Sequence, residues 1–498
     1  MSFASAQPAR ELGELLQGVV VPDASSASAM ITNLTLDSRT VSSGSLFFGV
    51  PGEKTDGRRY VDQALRSGAS AVLVEGRGWD TKRPIEHCYP IDGLREQIGR
   101  IASRFFGSPS HALCVVGVTG TNGKTTCASL LAQALTLLGR RSGLIGTTGW
   151  GLDGDMNPSE LTTPDALTLQ SRLAELAAQG AESVCLEVSS HAIDQGRIEG
   201  IHFNSALFTN LSRDHLDYHH TMEGYTETKL LLFRRQELES AIINVADPVG
   251  RYFAGQDLSA RLWTYGDDES ADVFPTRIDI DTAGIMLRLA SPVGEISFKS
   301  ALHGQFNVSN LSAVATTLIA HGYAADDISQ VMGRLQPVSG RMLFCRGSGS
   351  GRPTVVVDYA HSPGALSQLL TSLRTYTDGQ LWCVFGCGGD RDRGKRAAMG
   401  QEASQLADRV VLTSDNPRDE DPDQILTDIA KGMSTPAQAS IPQRDLAIAH
   451  AIAQASAQDL VVIAGKGHET HQIVGDQVIP FSDQAIAEDL LRKMPCLT

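Results

Sequence analysis

The ten residues Gly117 to Thr126, GVTGTNGKTT, put one lysine and two threonines behind glycines, between the apolar run HALCVV and the helical pattern CASLLAQALTLLG. A strand, a glycine-rich turn and a helix starting at Lys124 would aim several backbone N–H groups and the positive end of a helix dipole at one point, which suits phosphate. Gly120 and Gly123 let the backbone close in, Lys124 supplies charge for the β/γ oxygens of a nucleotide, and Thr125 offers its hydroxyl to Mg2+. The strict phosphate-loop spacing, G-x-x-x-x-G-K-[ST], is not met, because its first glycine falls on Val118, one residue after Gly117. The competing reading is a strand–helix turn that merely uses glycine.

Other residues carry chemistry more quietly. Glu187 ends the strand-like SVCLEV and His215 lies in the loop after SALFTNLS, so both are expected to face the crevice where the Lys124 helix begins. DHLDYHH offers His215, His219 and His220, which have the composition of a zinc cluster; a strand-end histidine plus a surface pair is the preferred reading. Lys229 in YTETKLLLF sits at the edge of a partly apolar helical stretch and, taken alone, reads as a solvated lysine paired with Glu227 or Glu223. In LTTPD, Thr162 and Thr163 read equally as the start of a helix with Asp165 in its first turn. In SDNPR, a strand ends in a turn where Asp415 and Asn416 can accept an ammonium's hydrogens and Arg418 offers a planar fork to a carboxylate; Pro417 suits the turn itself. Arg341 reads as a ligand contact or as a surface arginine near a domain joint.

The elements that must hold these groups fall into three blocks of a 498-residue chain. Residues 1–110 carry short β-like runs (ITNLTL, GSLFFGV, SAVLV) broken by SSGS and PGEKTDGRR, and end in an amphipathic helix pattern running into Gly107 and Pro109. In residues 111–338, apolar runs alternate with helical patterns such as DALTLQSRLAELAAQG, the signature of β–α units building a parallel sheet, whose ligands gather at the strands' carboxyl ends. Residues 339–498 repeat the arrangement with PTVVVDYA, QLWCVFG, RVVLTS and LVVIAG, and RGSGSGRP (346–353) reads as a surface loop. The expected fold is α/β in three domains: a small mixed N-terminal domain, a central phosphate-loop-type parallel-sheet ATPase domain and a C-terminal Rossmann-like domain.

Hydrophobic residues make up 42% and charged residues 20% of the chain, the balance of a globular enzyme. A formal charge of -15 disfavours nucleic acid and anionic lipid and points to small-molecule partners. The eight cysteines are scattered through apolar runs, so no disulfide is expected; Cys383 and Cys387 lack a second pair at zinc spacing. There is no basic start with an apolar core and no 18-residue apolar stretch, so a cytoplasmic chain without membrane insertion is expected.

TGTNGKTT resembles the ATP loop of the Mur ligase family, cytoplasmic peptidoglycan-synthesis enzymes that share the shifted spacing. The resemblance extends over essentially the full length: LDSRTV and GEKTDGRRY; LTTPD, EVSSHAIDQGR, TNLSRDHLDYH, YTETK and HGQFNVSN; GRM, VDYAHSP, GCGGDRDRGKR, SDNPRDEDP and AGKGHE. It implies an ATP- and Mg2+-dependent ligase that phosphorylates a carboxylate and lets an amine attack the acyl phosphate, acting as a monomer. Gly120, Thr121, Asn122, Gly123, Lys124, Thr125 and Thr126 then hold ATP together with Asn310, Arg341 and Asp358. Lys124, Glu187, His215 and Lys229 serve catalysis, with Thr125, Glu187, His215 and a carbamylated Lys229 around metal. The same resemblance assigns Leu36, Ser38, Gly52, Glu53, Lys54, Thr55, Thr162, Thr163, Ser189, Gln195 and Arg197 to a UDP-N-acetylmuramoyl dipeptide. It assigns Arg391, Asp415, Asn416, Pro417, Arg418, Gly465 and Glu469 to meso-diaminopimelate, since DNPR accompanies the diaminopimelate-adding branch. A lysine-adding member, a folate-glutamating relative and a nucleotide-gated binding protein are the competing readings.

Overall fold

The structure, a computed structural model, describes residues 9–52, 55–80, 85–281, 283–345 and 352–493. Glu53, Lys54, Cys496 and most of the glycine–serine stretch expected as a loop at 346–353 lie outside the described residues.

The N-terminal runs form a four-stranded parallel sheet in chain order, Asn33–Thr35, Ser45–Gly49, Ala71–Glu75 and Cys88–Ile91. The helix Leu94–Phe105 buries Leu94, Ile98, Ile101 and Phe105 on one face, where they join Leu46, Phe48 and Leu73 in a single core.

The middle of the chain builds an eight-stranded sheet in the order Asp155–Asn157, Gly149–Leu152, Ser142–Gly146, Ser183–Glu187, Cys114–Thr119, Ser205–Phe208, Ser240–Asn244, Arg261–Tyr265. Six of these strands run parallel; the first two form an antiparallel extension at one edge. Cys114–Thr119 lies at the centre and is buried on both faces, which explains its unbroken apolar sequence. One departure from the β–α reading follows. Phe274–Asp281, Gly284–Ala290 and Ile296–Ser300 make an antiparallel three-stranded meander. Its Ile285, Leu287, Leu289, Ile296 and Phe298 pack on the core beneath the helix Phe306–Ala320.

The C-terminal sheet orders its six strands Leu343–Cys345, Thr354–Asp358, Leu460–Ala464, Leu381–Phe385, Arg409–Leu412, Ala439–Ser440, with only the first antiparallel. A separate hairpin, His471–Val474 with Gln477–Pro480, reaches back to the SDNPR turn. Behind the strand ends, the fully buried guanidinium of Arg444 pairs with Asp483 at 2.8 Å and donates to Ser414 O and Ala464 O, tying two loop roots to two helices. Removing one partner strands a buried charge, so Arg444→Met is expected to lower unfolding free energy by about 3–5 kcal/mol in urea titration. The double variant with Asp483→Leu recovers part of that loss, because no lone charge is left buried.

No helix among the described residues is long and apolar enough to cross a membrane, and the cysteines at 88, 114, 127, 185, 345, 383 and 387 are free thiols.

Candidate active site

The glycine loop turns as its sequence requires. Gly120 has φ +148 and a Cβ there would meet Thr209 Oγ1 at 1.9 Å; Gly123 has φ +86 and a Cβ there would meet Asn310 Oδ1 at 2.7 Å. Any side chain at either position would force the loop off its neighbours. The helix Lys124–Leu137 starts directly behind it. Lys124 Nζ donates to Gly120 O at 2.8 Å and Thr121 O at 2.9 Å, so the ammonium here braces its own loop instead of extending away from it.

From this loop a cleft of about 610 Å³ opens between the central and C-terminal sheets. Its central walls come from Thr121 to Thr126, Thr162, Thr163, Glu187, Ser189, Arg197, His215, Lys229 and Asn310; the C-terminal side adds Arg341, Asp358, Arg391, Asp415, Asn416, Arg418, Gly465 and Glu469. Parallel strands in both sheets deliver their carboxyl ends to this space, the usual ligand position in such sheets.

Glu187, the last residue of its strand, is fully buried and accepts from Thr125 Oγ1 at 2.9 Å, Thr147 N at 2.8 Å and Thr147 Oγ1 at 3.1 Å. Thr125 Oγ1 also receives a nitrogen of Arg341 at 2.9 Å, and that guanidinium stacks 4.4 Å from the Tyr359 ring. Arg341 is therefore a cleft residue, and the surface reading is discarded. Asp358 lines the cleft, but its carboxylate accepts from Met342 N and Ala360 N and so also clamps its own strand end.

Lys229 overturns the solvated-helix reading. Its side chain is buried, with Nζ 3.1 Å from Gly120 O and 4.7 Å from the centre of the Tyr225 ring. Glu227 pairs with Arg234 and Tyr252 instead. Burial, reinforced by the Lys124 charge, drives Lys229 well below the ordinary lysine value, which favours a neutral amine.

His215 caps the short helix Leu216–His219 in a left-handed conformation with φ 55. Desolvation lowers it below the ordinary histidine value against the opposing pull of Asp214, leaving a neutral imidazole 3.7 Å from that carboxylate. Asp214 in turn lies 3.8 Å from His361 Nε2 and 4.0 Å from Lys395 Nζ, a junction of central and C-terminal segments. The surface pair His219 and His220 needs correcting. His219 stacks on Tyr225 at 5.0 Å and bonds Ser190 at 2.8 Å, and only His220 is exposed. Among the described residues, no group of three or more His, Cys, Asp or Glu side chains could hold a metal unaided.

The dipeptide set divides. Thr163 Oγ1 bonds Glu187 O at 2.7 Å and stands 3.3 Å from Ser189 Oγ, and Arg197 Nη1 donates to Thr163 O, so these converge on the cleft wall. Gln195 lies behind it, orienting Arg197 through two hydrogen bonds. Asp165 is the N-cap of the helix Ala166–Ala178, accepting from Leu167 N and Thr168 N, and so stands one position before the first turn where the sequence reading put it. Leu36, Ser38, Gly52 and Thr55 sit on the N-terminal sheet's loops and do not border the cleft.

In SDNPR, the Asn416 Oδ1 expected to receive an ammonium is already taken by Lys466 Nζ at 3.0 Å and Ile473 N at 3.0 Å, while its Nδ2 donates to Glu469 at 3.0 Å. Arg418 adopts φ 52 and is bridged to Val474 of the hairpin; Nη1 donates to Gly389 O at 2.7 Å. Pro417 packs against Gly389 and is a shaping residue. Lys466, His361, Lys395 and Asp214 escaped the sequence reading, although all four fall within AGKGHE, VDYAHSP, GCGGDRDRGKR and TNLSRDHLDYH.

Three family models match along the chain: the Mur ligase family catalytic domain over residues 30–106, the Mur ligase middle domain over 118–318, and the Mur ligase glutamate ligase domain over 340–467. The UDP-N-acetylmuramoyl-L-alanyl-D-glutamate–2,6-diaminopimelate ligase of Ectopseudomonas mendocina is 47% identical over 471 residues, covering 94% of this chain and 96% of that one. Its counterpart in Pseudomonas aeruginosa is 46% identical over 465 residues, covering 93% and 95%. A solved structure of a ligase with the same description superposes with TM-score 0.70 at 36% identity, covering 97% of this chain and 99% of that one. A Mycobacterium tuberculosis folylpolyglutamate synthase, at 20% identity and TM-score 0.63, shares the fold.

Proposed function

The chain belongs to the Mur ligase family, and from that premise we propose that it joins meso-2,6-diaminopimelate to the D-glutamate carboxyl of UDP-N-acetylmuramoyl-L-alanyl-D-glutamate in the cytoplasm, using ATP. The observation that carries the reading is the single cleft in which the phosphate-type loop at Lys124, the Thr163–Ser189–Arg197 wall and the Asp415–Arg418–Glu469 cluster all meet.

A carboxylate is a poor electrophile. Its oxygen attacks the γ-phosphorus of ATP, the bond to the β-phosphate oxygen breaks, and ADP leaves an acyl phosphate. The amine nitrogen then adds to the acyl carbon, loses a proton, and expels phosphate. Both reactants of the first step are anions, so the residues' main task is to neutralise and align charge. Lys124 and the loop N–H groups hold the triphosphate, and Arg341 approaches from the other side through Thr125. Arg197 steadies the acceptor and excludes its free rotation.

Mg2+ fits the donor set, since the Thr125 hydroxyl and Glu187 carboxylate meet at 2.9 Å in the cleft that a neutral His215 also lines. When bound, it supplies charge neutralisation to the phosphate oxygens. Lys229 is suited to carry a carbamate, because its neutral amine can add to CO2 with loss of one proton; the product is an anionic oxygen ligand facing the same space.

The test is product formation from the UDP-muramoyl dipeptide and ATP with meso-diaminopimelate, lysine or ornithine. The expected result is amide product with diaminopimelate far above the other two, and phosphate release that needs both acceptor and amino acid. Equal product with lysine, or phosphate release from ATP alone, rejects the reading.

A further inference from the structure

Lys466 has no exposed side-chain surface, yet it sits directly behind the groups assigned above to the amino acid. Its Nζ donates to Glu469 Oε2 at 2.6 Å and to Asn416 Oδ1 at 3.0 Å, and stands 3.9 Å from Asp415 Oδ1. All three neighbours border the cleft, whereas Lys466 does not. A carboxylate in a desolvated pocket resists ionisation, and a cation hydrogen-bonded to it offsets that resistance. We propose that Lys466 is a positioning residue of the amino-acid pocket. Its buried ammonium holds Glu469 and, through Asn416, the SDNPR turn in place, so that the Glu469 and Asp415 carboxylates face the cleft and receive an ammonium group of the incoming diamino acid. This rests on the diaminopimelate reading and deepens it.

The surroundings of Glu469 agree. Burial raises its carboxyl, but the Lys466 charge and hydrogen bond, then the Asn416 amide and His468, bring it below the ordinary glutamate value. The other titratable and charged groups acting on it are Arg418 of the SDNPR turn, Tyr359 beyond the strand Thr354–Asp358, and Arg444 of the helix Arg444–Gln454, while Asp415 stands on the far side of Lys466 at 3.9 Å. His468 is itself depressed to about 4 by burial and is neutral near pH 7, so Lys466 is the cation within hydrogen-bonding distance of Glu469. The sign follows: a lowered carboxyl keeps its negative charge as pH falls, and without Lys466 that charge is lost earlier. Amino-acid binding should then weaken first on the acid side.

The experiment is steady-state kinetics of Lys466→Met and Lys466→Gln from mildly acidic to mildly alkaline pH, varying the amino acid and ATP separately. In both variants the expected KM for diaminopimelate rises about tenfold to a hundredfold at neutral pH, the increase grows in acid and shrinks in alkali, and KM for ATP stays within twofold. Glutamine keeps a donor but not the charge, so its failure to restore the acid limb separates charge from shape. An unchanged KM for diaminopimelate, or a rise of equal size at every pH, overturns the proposal. Should both variants fail to fold, the Glu469 carboxyl carbon of the wild-type protein is followed by NMR. A midpoint below the ordinary glutamate value supports the proposal, and one at or above it overturns it. Wild-type enzyme that makes no product with diaminopimelate would instead sink the functional reading on which this rests.

Discussion

Lys229→Met is expected to lower kcat by about a hundredfold to a thousandfold while leaving the fold and the KM for the amino acid nearly unchanged. The reason is local. Lys229 is 1% exposed, lies against the loop through Gly120 O, and faces the same cleft as Glu187 and His215. Methionine fills a similar volume and removes the burial penalty on an amine, so unfolding free energy should hold or rise. What disappears is the nitrogen that can bond CO2.

Lys229→Arg separates the two roles of this side chain. Arginine keeps a cation but does not carbamylate, so equal loss in Met and Arg variants points to the carbamate, whereas activity retained by Arg shows that positive charge alone was needed. The pH dependence has a fixed sign. Burial holds the folded-state value of Lys229 well below that of a solvated lysine, so the reactive neutral amine persists to lower pH than usual. As pH falls through that depressed value the amine protonates and the carbamate is lost. Wild-type enzyme depleted of bicarbonate at mildly acidic pH should lose activity and regain it when bicarbonate is restored at neutral pH. Carbon-13 bicarbonate should give a carbamate resonance in wild type that Lys229→Met lacks.

Strands buried on both faces were the most legible part of the sequence. Cys114–Thr119, Ser183–Glu187, Thr354–Asp358 and Leu460–Ala464 are unbroken apolar runs because both sheet faces are covered, and each ends in the loop that supplies site residues. The meander at 274–300 went unread as such, although Ile296–Ser300 alternates strictly between buried and exposed positions. Its neighbours' β–α rhythm masked a period-two signal. Among the site residues, Glu187 and Lys124 could be placed from strand ends and loop chemistry. Burial of a single polar side chain could not. Lys229 and Lys466 look like ordinary surface lysines in sequence, and His219 like half of an exposed pair, because what covers each comes from elsewhere in the chain: the Gly120 loop over Lys229, the SDNPR turn over Lys466, and His191 and Tyr225 around His219. The Asp214 junction with His361 and Lys395 likewise exists only once two sheets meet.

Arg418→Ala is expected to reduce kcat/KM for diaminopimelate by roughly a hundredfold or more, change that for lysine only a few-fold, and leave the KM for ATP unaltered. Arg418 is held at φ 52 by its bridge to the hairpin, with one guanidinium nitrogen spent on Gly389 O and the group bordering the cleft. Burial and the like charge of Arg391 outweigh the pull of Asp415, Glu469 and Asp390 and set Arg418 below the ordinary arginine value, so an anion between the two guanidiniums relieves their repulsion. The carboxylate that distinguishes diaminopimelate from lysine supplies it, at about 1.5–3 kcal/mol per charged hydrogen bond. Lysine leaves the corner unpaired, which penalises the wrong substrate as strongly as the pairing rewards the right one. Alanine at 418 removes both terms, and the gap between the substrates should close mainly by loss of diaminopimelate use. Identical diaminopimelate kinetics before and after the substitution would show that discrimination resides elsewhere, with Arg391 the next residue to replace. A parallel fall for lysine would instead mean that Arg418 shapes the turn that carries Asp415, since its backbone anchors Gly475 and Ile473.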